Sequence, residues 1–459
     1  MTRLDATTTE FRDAGHKLVD WIADYFENIE SYPALSRVQP GEIEKRFAAA
    51  PGAQGKSYDA LLAEFQEKIL PGITHWNHPS FFAYFSITGS QAGVLAEFLS
   101  AAINANGMLW KTSPALTELE TLALRWLRDA LGLPGDLFGI INDTASVNVF
   151  LAIAAAREAT GLNIRGEGMT GRDLPVLRLY CSEHAHSSVD KGALALGFGQ
   201  KNIVKIPADE HFAMRPDLLE AAIAHDRAEG FLPCIVVATT GTTSTAAVDP
   251  VRAIGHIAKR EGCWFHVDAA YAGSATIVPE YRWIWDGIEL ADSIVTNPHK
   301  WLFTPIDCSV LYTKRPDVLR ETFSLVPEYL KTTDTAEINY MDYGIQLGRR
   351  FRALKLWMVL EHYGLDHLRE VIRGHVMMAE RLANELRQRD GVEVLSQSFS
   401  VVVFKLRSDD ETMAALERMN ESGRIFVSHS KLRGHYVIRV AIGNGATEWR
   451  HVAAILEGL

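Results

Sequence analysis

A chain of 459 residues is too long for one simple core, so two or three domains with ample buried area are expected. Its 47% hydrophobic and 22% charged content is that of an ordinary soluble globular protein. A net charge of −11, from 57 acidic against 46 basic residues with no Lys/Arg block, argues against binding a nucleic-acid backbone but leaves room for a local basic pocket for one small anion.

Along the chain, "MTRLDATTTEFRDAGHKL" lacks the hydrophobic stretch of a signal peptide, and no apolar run approaches the roughly 20 residues that span a bilayer. A cytoplasmic protein is expected. Residues 10–30 place Phe11, Leu18, Ile22 and Phe26 near helical spacing; "SYPALSRVQPGEI" breaks that helix and "SYDALLAEFQEKILPGI" restarts one. This helical segment, residues 1–80, has many apolar side chains for its size and needs a partner surface, either the main domain or another subunit.

From about residue 135 the pattern changes. "VLRLY" (176–180), "CIVVATT" (234–240), "WFHVDAA" (264–270), "DSIVT" (292–296) and "SVLYT" (309–313) are short strand-like runs, with helical stretches such as "DPVRAIGHIAKREG" between several of them. That alternation predicts an α/β domain over 81–350, its mostly parallel sheet covered on both faces. Ligands of such sheets bind beyond the carboxyl ends of the strands. Residues 351–459 begin with a long helical pattern and add the strand-like "VEVLSQ", "SVVVFKL" and "YVIRVAI", which suggests a smaller α+β domain.

Two motifs carry less than they promise. "GEGMTG" (166–171) has the dinucleotide spacing, but it follows a helix and precedes a strand, the reverse of what that fingerprint needs. "HAH" (184–186) has no third ligand at a familiar spacing, so one histidine acting by stacking or proton transfer is a better reading than a metal site. The cysteines Cys181, Cys234, Cys263 and Cys308 lie far apart without a CxxC pair, as expected of reduced thiols.

Stronger is a set of polar clusters, each just past a strand-like run: "SEHAHSS", "TGTTS", "DAAYAG" and "NPHKW". Alone, Lys300 reads as a snorkelling lysine and Asp268 as a helix-capping acid. Together they converge on one sheet edge. A desolvated lysine there becomes a nucleophilic amine, and a neighbouring aspartate can pair with a protonated ring nitrogen. Those are the two requirements of pyridoxal phosphate. "NDTASVNVFLAIAAARE" supplies a phosphate-binding helix start at Thr144, Ala145 and Ser146.

At this point the chain closely resembles the group II pyridoxal-phosphate-dependent decarboxylases, above all the aromatic-L-amino-acid decarboxylases. "HPSFFAYF", "SPALTELE", "AHSSVDK", "TTGTTS", "HVDAAYAGSA", "NPHKW" and "LGRRFRALKLW" carry the resemblance over almost the whole length. It implies a fold type I (aspartate-aminotransferase-like) homodimer with a mostly parallel seven-stranded sheet, sites at the interface and N-terminal helices packed across it. It implies that Lys300 forms the Schiff base, Asp268 pairs with the pyridine nitrogen, Ala270 lies against the ring and His186 stacks on its open face. Ala145, Ser146, Thr243, Asn297 and His299 match positions that hold the cofactor, mainly at its phosphate. Tyr329, in "LVPEYLK", matches a loop tyrosine that protonates the carbanion. Trp76, Tyr84, Phe85, Ile87, Asn106, Met108 and Gly348 match the substrate pocket, with Asn106 and Met108 on the partner's side. The implied reaction is decarboxylation of tryptophan, phenylalanine, tyrosine or dopa.

Departures bear on the substrate. Ser86 and Ile87 stand where proline and a hydroxyl residue are common, and Ile87 cannot bind a ring hydroxyl. Gly348 matches a position where glycine accompanies indole substrates, so tryptophan or phenylalanine is favoured. "DYGIQLGRR" replaces the more usual "DWQIPLGRR". An aromatic aldehyde synthase, an acidic amino-acid decarboxylase and a cofactor-free scaffold are the competing readings; Tyr329 and His186 favour simple decarboxylation over the first.

Overall fold

The computed structural model describes residues 7–50, 52–325 and 337–459. Its centre is a sheet of β1 (Phe138–Asn142), β2 (Leu177–Ser182), β3 (Ile203–Ile206), β4 (Leu232–Thr239), β5 (Trp264–Asp268), β6 (Ser293–Thr296) and β7 (Ser309–Thr313), in the order β1-β7-β6-β5-β4-β2-β3. Neighbours from β3 to β6 pair in parallel; β7 alone runs against the rest, antiparallel to both β6 and β1. The fold class expected from the sequence is therefore observed.

β5 and β6 are buried at every residue, and β4 at all but its first, because helices cover both faces of the sheet. One covering helix, Ala145–Glu158, buries most of its length, and its "AIAAA" stretch lets it lie close to the strands. Because β4, β5 and β6 are parallel, their polar carboxyl ends ("TTGTT", "DAAYAG", "NPHKW") open on one edge. β1 and β3 lacked a distinct sequence signal: "FGIIN" carries Gly and Asn, and "IVKI" is a four-residue edge strand.

A second sheet, β10-β11-β9-β8, is antiparallel throughout: β8 (Glu393–Ser398), β9 (Val401–Lys405), β10 (Ser428–Leu432) and β11 (His435–Ala441). β10, "SHSKL", escaped the sequence reading because its only fully buried residue is Leu432. The helix Arg352–Arg387 leads into this sheet and breaks at Gly364, where φ is 69° and ψ 159°. The segment 81–86 runs between the two sheets. Phe82 donates its N–H to Phe426 O at 2.8 Å and accepts from Ala441 N at 2.9 Å, which carries Phe85 to the sheet edge.

The helices Thr8–Glu27 and Tyr58–Glu64 bury no residue completely. Phe11, Val19 and Leu61 are exposed on them, as are Leu95, Phe98, Leu99 and Ile103 on the helix Gln91–Ile103. Among the described residues no helix is long and apolar enough to cross a membrane.

Candidate active site

Lys300 stands in a single helical turn, Pro298–Trp301, that begins where β6 ends. Asn297 precedes the turn and accepts Lys300 N at 3.0 Å. The Lys300 ammonium lies 4.9 Å from the centroid of the Phe85 ring, and the Arg439 guanidinium lies 4.4 Å from the same ring. Burial pushes Lys300 below its ordinary value; Asp268 opposes that shift and Arg439 adds to it. Asp268 is buried at the end of β5, where its Oδ1 accepts Ala270 N at 3.0 Å. Behind the lysine a column of rings supports the turn. Phe85 stacks on Tyr271 at 4.0 Å and Tyr271 on Trp301 at 4.8 Å, and Trp301 donates Nε1–H to His375 Nδ1 at 3.0 Å.

His186 is the N-cap of the helix Ser187–Ala195. Ser188 N donates to its Nδ1 at 3.1 Å, which leaves the neutral ring its proton on Nε2. Burial, then the charge of Lys300, lowers its pKa, with Asp268 opposing. The imidazole is therefore a neutral donor through Nε2. His299 follows the same logic: Cys308 N donates to Nδ1 at 2.9 Å, and burial brings its pKa down to about 3. Asn297 is oriented by a relay in which Asn142 Nδ2 donates to Asn148, Asn148 Nδ2 to Ser309 and the Ser309 hydroxyl to Asn297 Oδ1, over 2.7, 2.7 and 2.5 Å. Its amide nitrogen is left as a donor.

The helix Ala145–Glu158 presents its start to the same edge. Its N-cap Thr144 makes no side-chain cap bond, so no side chain caps the N–H groups of Ala145 and Ser146. Thr243 is exposed, and its carbonyl accepts Arg439 Nε at 2.7 Å.

The expected pocket residues fall into two groups. Trp76 stacks on Tyr84 at 5.8 Å, and Tyr84 and Phe85 lead to Arg439 and Lys300, with Ile87 two residues on. Asn106 lies apart with Gly348: its Oδ1 accepts Arg349 N at 2.9 Å, and a Cβ on Gly348 would meet its amide nitrogen at 3.9 Å. Met108 packs beside them against Leu109 and Met341. Tyr329 lies outside the described residues. Ser86 has a structural account: a Cβ on Gly443 would meet its Cβ at 3.1 Å, so the hydroxymethyl side chain packs directly on the glycine backbone.

Arg439 was missed in the sequence. It is buried on β11, donates to Thr243 O and Tyr84 O, and keeps its Nη2 without a partner among the described residues. Burial lowers it to about 10. The available signal was a lone cation inside the apolar run "YVIRVAI". His184 parts from His186 and packs edge-on to Phe212 at 5.7 Å, and no metal-holding cluster occurs among the described residues.

Comparison with known proteins adds to this geometry. The family model described as pyridoxal-dependent decarboxylase conserved domain matches residues 40–407. Tryptophan decarboxylase 2 of Oryza sativa subsp. japonica is 41% identical over 97% of this chain and 93% of its own. Phenylacetaldehyde synthase of a Rosa hybrid cultivar is 40% identical over 96% of this chain and 92% of its own. The crystal structure of Oryza sativa TDC with PLP and tryptamine superposes with a TM-score of 0.95 at 37% identity, covering 99% of this chain and 98% of that one.

Proposed function

Because the chain belongs to the pyridoxal-dependent decarboxylase family, we propose that it converts aromatic L-amino acids (tryptophan, phenylalanine, tyrosine or dopa) to the corresponding arylalkylamines and carbon dioxide. The observation that carries this reading is the pair of cations at one aromatic ring. Lys300 and Arg439 both border Phe85, with Tyr84 and Trp76 next in line, so an anionic group and an aromatic side chain have adjoining places. Tryptophan and tyrosine decarboxylases among the relatives point the same way.

The residues fit pyridoxal phosphate. Arg439 Nη2 and Thr239 Oγ1 are buried polar atoms without partners among the described residues, a helix start free of a side-chain cap faces the edge, and the one lysine there is weakened as an acid-base cation by burial. Lys300 would hold the aldehyde, Asp268 the pyridine nitrogen and Ala270 one ring face. Ala145, Ser146, Thr243, Asn297 and His299 would bind the phosphate with N–H and O–H donors. When bound, the cofactor supplies the electron sink for the pair left as the Cα–carboxylate bond breaks.

The chain's own groups choose which bond that is. Arg439 directs its spare Nη2–H toward the substrate carboxylate, and the Nε2–H of His186 donates from the open side, so carboxylate orientation is set before reaction. Trp76, Tyr84, Phe85 and Ile87 take the aromatic side chain. Asn106, Met108 and Gly348 cluster away from Lys300 in sequence and serve the pocket of a partner subunit in a homodimer. The exposed apolar residues of the N-terminal helices support that assembly. Tyr329 returns the proton to Cα. A cytoplasmic location is part of the proposal, supported by four buried cysteines, all unpaired.

One experiment tests the reading. Enzyme loaded with pyridoxal phosphate is given tryptophan, phenylalanine, tyrosine, dopa and glutamate in turn, and amine, aldehyde and ammonia are quantified. Amine from at least one aromatic substrate, without matching ammonia, is expected. Predominant aldehyde with ammonia would make the chain a synthase like the rose relative, and turnover of glutamate alone would place it with acidic substrates. Light scattering on the same preparation should give the mass of two chains.

A further inference from the structure

His266 lies two residues before Asp268 on β5, is fully buried, and has no part in the site as described so far. Its Nδ1 is 2.8 Å from the Ser293 hydroxyl, and that oxygen is also 2.8 Å from the Trp264 indole nitrogen. An indole N–H can only donate, so Ser293 Oγ accepts from Trp264. The hydroxyl proton then goes to His266 Nδ1, which puts the imidazole proton on Nε2. The opposite tautomer would strand both the Ser293 proton and the Nε2 lone pair; this one strands a single N–H.

That Nε2 has no hydrogen-bond partner among the described residues. A buried imidazole N–H without an acceptor is costly, so its surroundings identify what it serves. Side chains alternate along a strand, so His266 and Asp268 share one face with Cβ atoms about 7 Å apart, within the combined reach of an imidazole and a carboxymethyl group. Thr239, in register with Asp268 on the adjacent strand, leaves a second unpartnered atom, Oγ1, beside the carboxylate. Burial keeps His266 neutral, its pKa brought down to about 4 against the pull of Asp268.

We propose that His266 is a positioning residue for Asp268: Ser293 fixes its tautomer, and its Nε2–H, which bonds no group among the described residues, is the donor that turns the Asp268 carboxylate toward the pyridine nitrogen. This rests on the assignment of Asp268 made above. A hydrogen bond to a charged group contributes enough that its loss lowers affinity roughly tenfold or more.

The test compares wild type with His266→Leu, His266→Gln, Ser293→Ala and Asp268→Asn, each stripped of cofactor and titrated with pyridoxal phosphate. Quenching of tryptophan fluorescence gives the affinity, and the visible band of the lysine-bound cofactor is followed against pH. His266→Leu should bind about tenfold or more weakly and move the band's midpoint by about one pH unit. His266→Gln, whose amide nitrogen reaches the Nε2 position, should recover most of the affinity, and Ser293→Ala should fall between. Wild-type affinity and midpoint in a folded His266→Leu protein would overturn the proposal. If that protein does not fold, Ser293→Ala decides, and wild-type behaviour there overturns it equally. Impairment of Asp268→Asn alone would sink the role of His266 and leave that of Asp268 standing. An Asp268→Asn protein indistinguishable from wild type would sink both.

Discussion

Arg439 spends two of its nitrogens on the carbonyls of Thr243 and Tyr84, so its position is set by backbone and only Nη2 is available to a ligand. Arg439→Met keeps much of the packing and removes that donor. It should cut kcat/KM for the preferred aromatic amino acid roughly tenfold to a hundredfold, the worth of one charge-assisted bond. Steady-state kinetics check this, and an unchanged kcat/KM would remove Arg439 from the site. Lys300, Asp268 and His186 were legible in the sequence because each follows a strand-like run with polar company. Arg439 and His266 were not. An arginine in an apolar strand reads as a snorkelling cation, and a histidine two places before an aspartate reads as core; only three-dimensional hydrogen-bond accounting reveals an unpartnered nitrogen.

At the scale of elements, periodicity was enough wherever helices bury both faces of a strand, as at β4, β5 and β6. It failed at β1, β3 and β10, which are short strands at sheet edges, four or five residues each, so register with neighbours rather than a long periodic pattern makes them strands. The helix Arg352–Arg387 shows another limit of periodicity, since its apolar pattern continues across a break. Gly364 has a backbone conformation that side-chain-bearing residues avoid, although nothing lies within 4 Å of where a Cβ would be. Gly364→Ala should therefore lower unfolding stability by about 1–3 kcal/mol through backbone strain alone, with catalysis nearly unchanged. Denaturant melts beside activity assays distinguish this from a steric effect; equal stability would mean the break relaxes into regular helix.

For the whole molecule, acid stability follows from four buried histidines. His78, His266 and His375 are brought down to about 4 and His299 to about 3, each chiefly by burial. Their ordinary value is 6.5, so between pH 6.5 and about 4 the unfolded chain binds protons that the folded chain refuses. Stability is then fully present above pH 6.5 and falls as the pH drops, by about 1.4 kcal/mol per unit for each group. Asp249, raised by burial to about 7, works in the opposite direction from pH 7 down to its ordinary value, and one acid offsets only one of the four. Calorimetric melting temperatures should decline from about pH 6 to pH 5, where the histidine loss outweighs the Asp249 gain; a flat or rising profile there would contradict the burial of these rings as neutral groups.

The reversed strand β7 has a consequence for turnover. It brings Cys308 back alongside the turn that holds Lys300, where Cys308 O accepts His299 N at 3.3 Å and Cys308 N donates to the His299 ring at 2.9 Å, while Asn297 O accepts Lys300 N at 3.0 Å. The backbone under the lysine is thus clasped from both sides, and only the four-carbon stem is free to swing. An arm hinged on a fixed post returns to the same starting point whenever its side-chain bonds rotate back, with no change in the backbone beneath it.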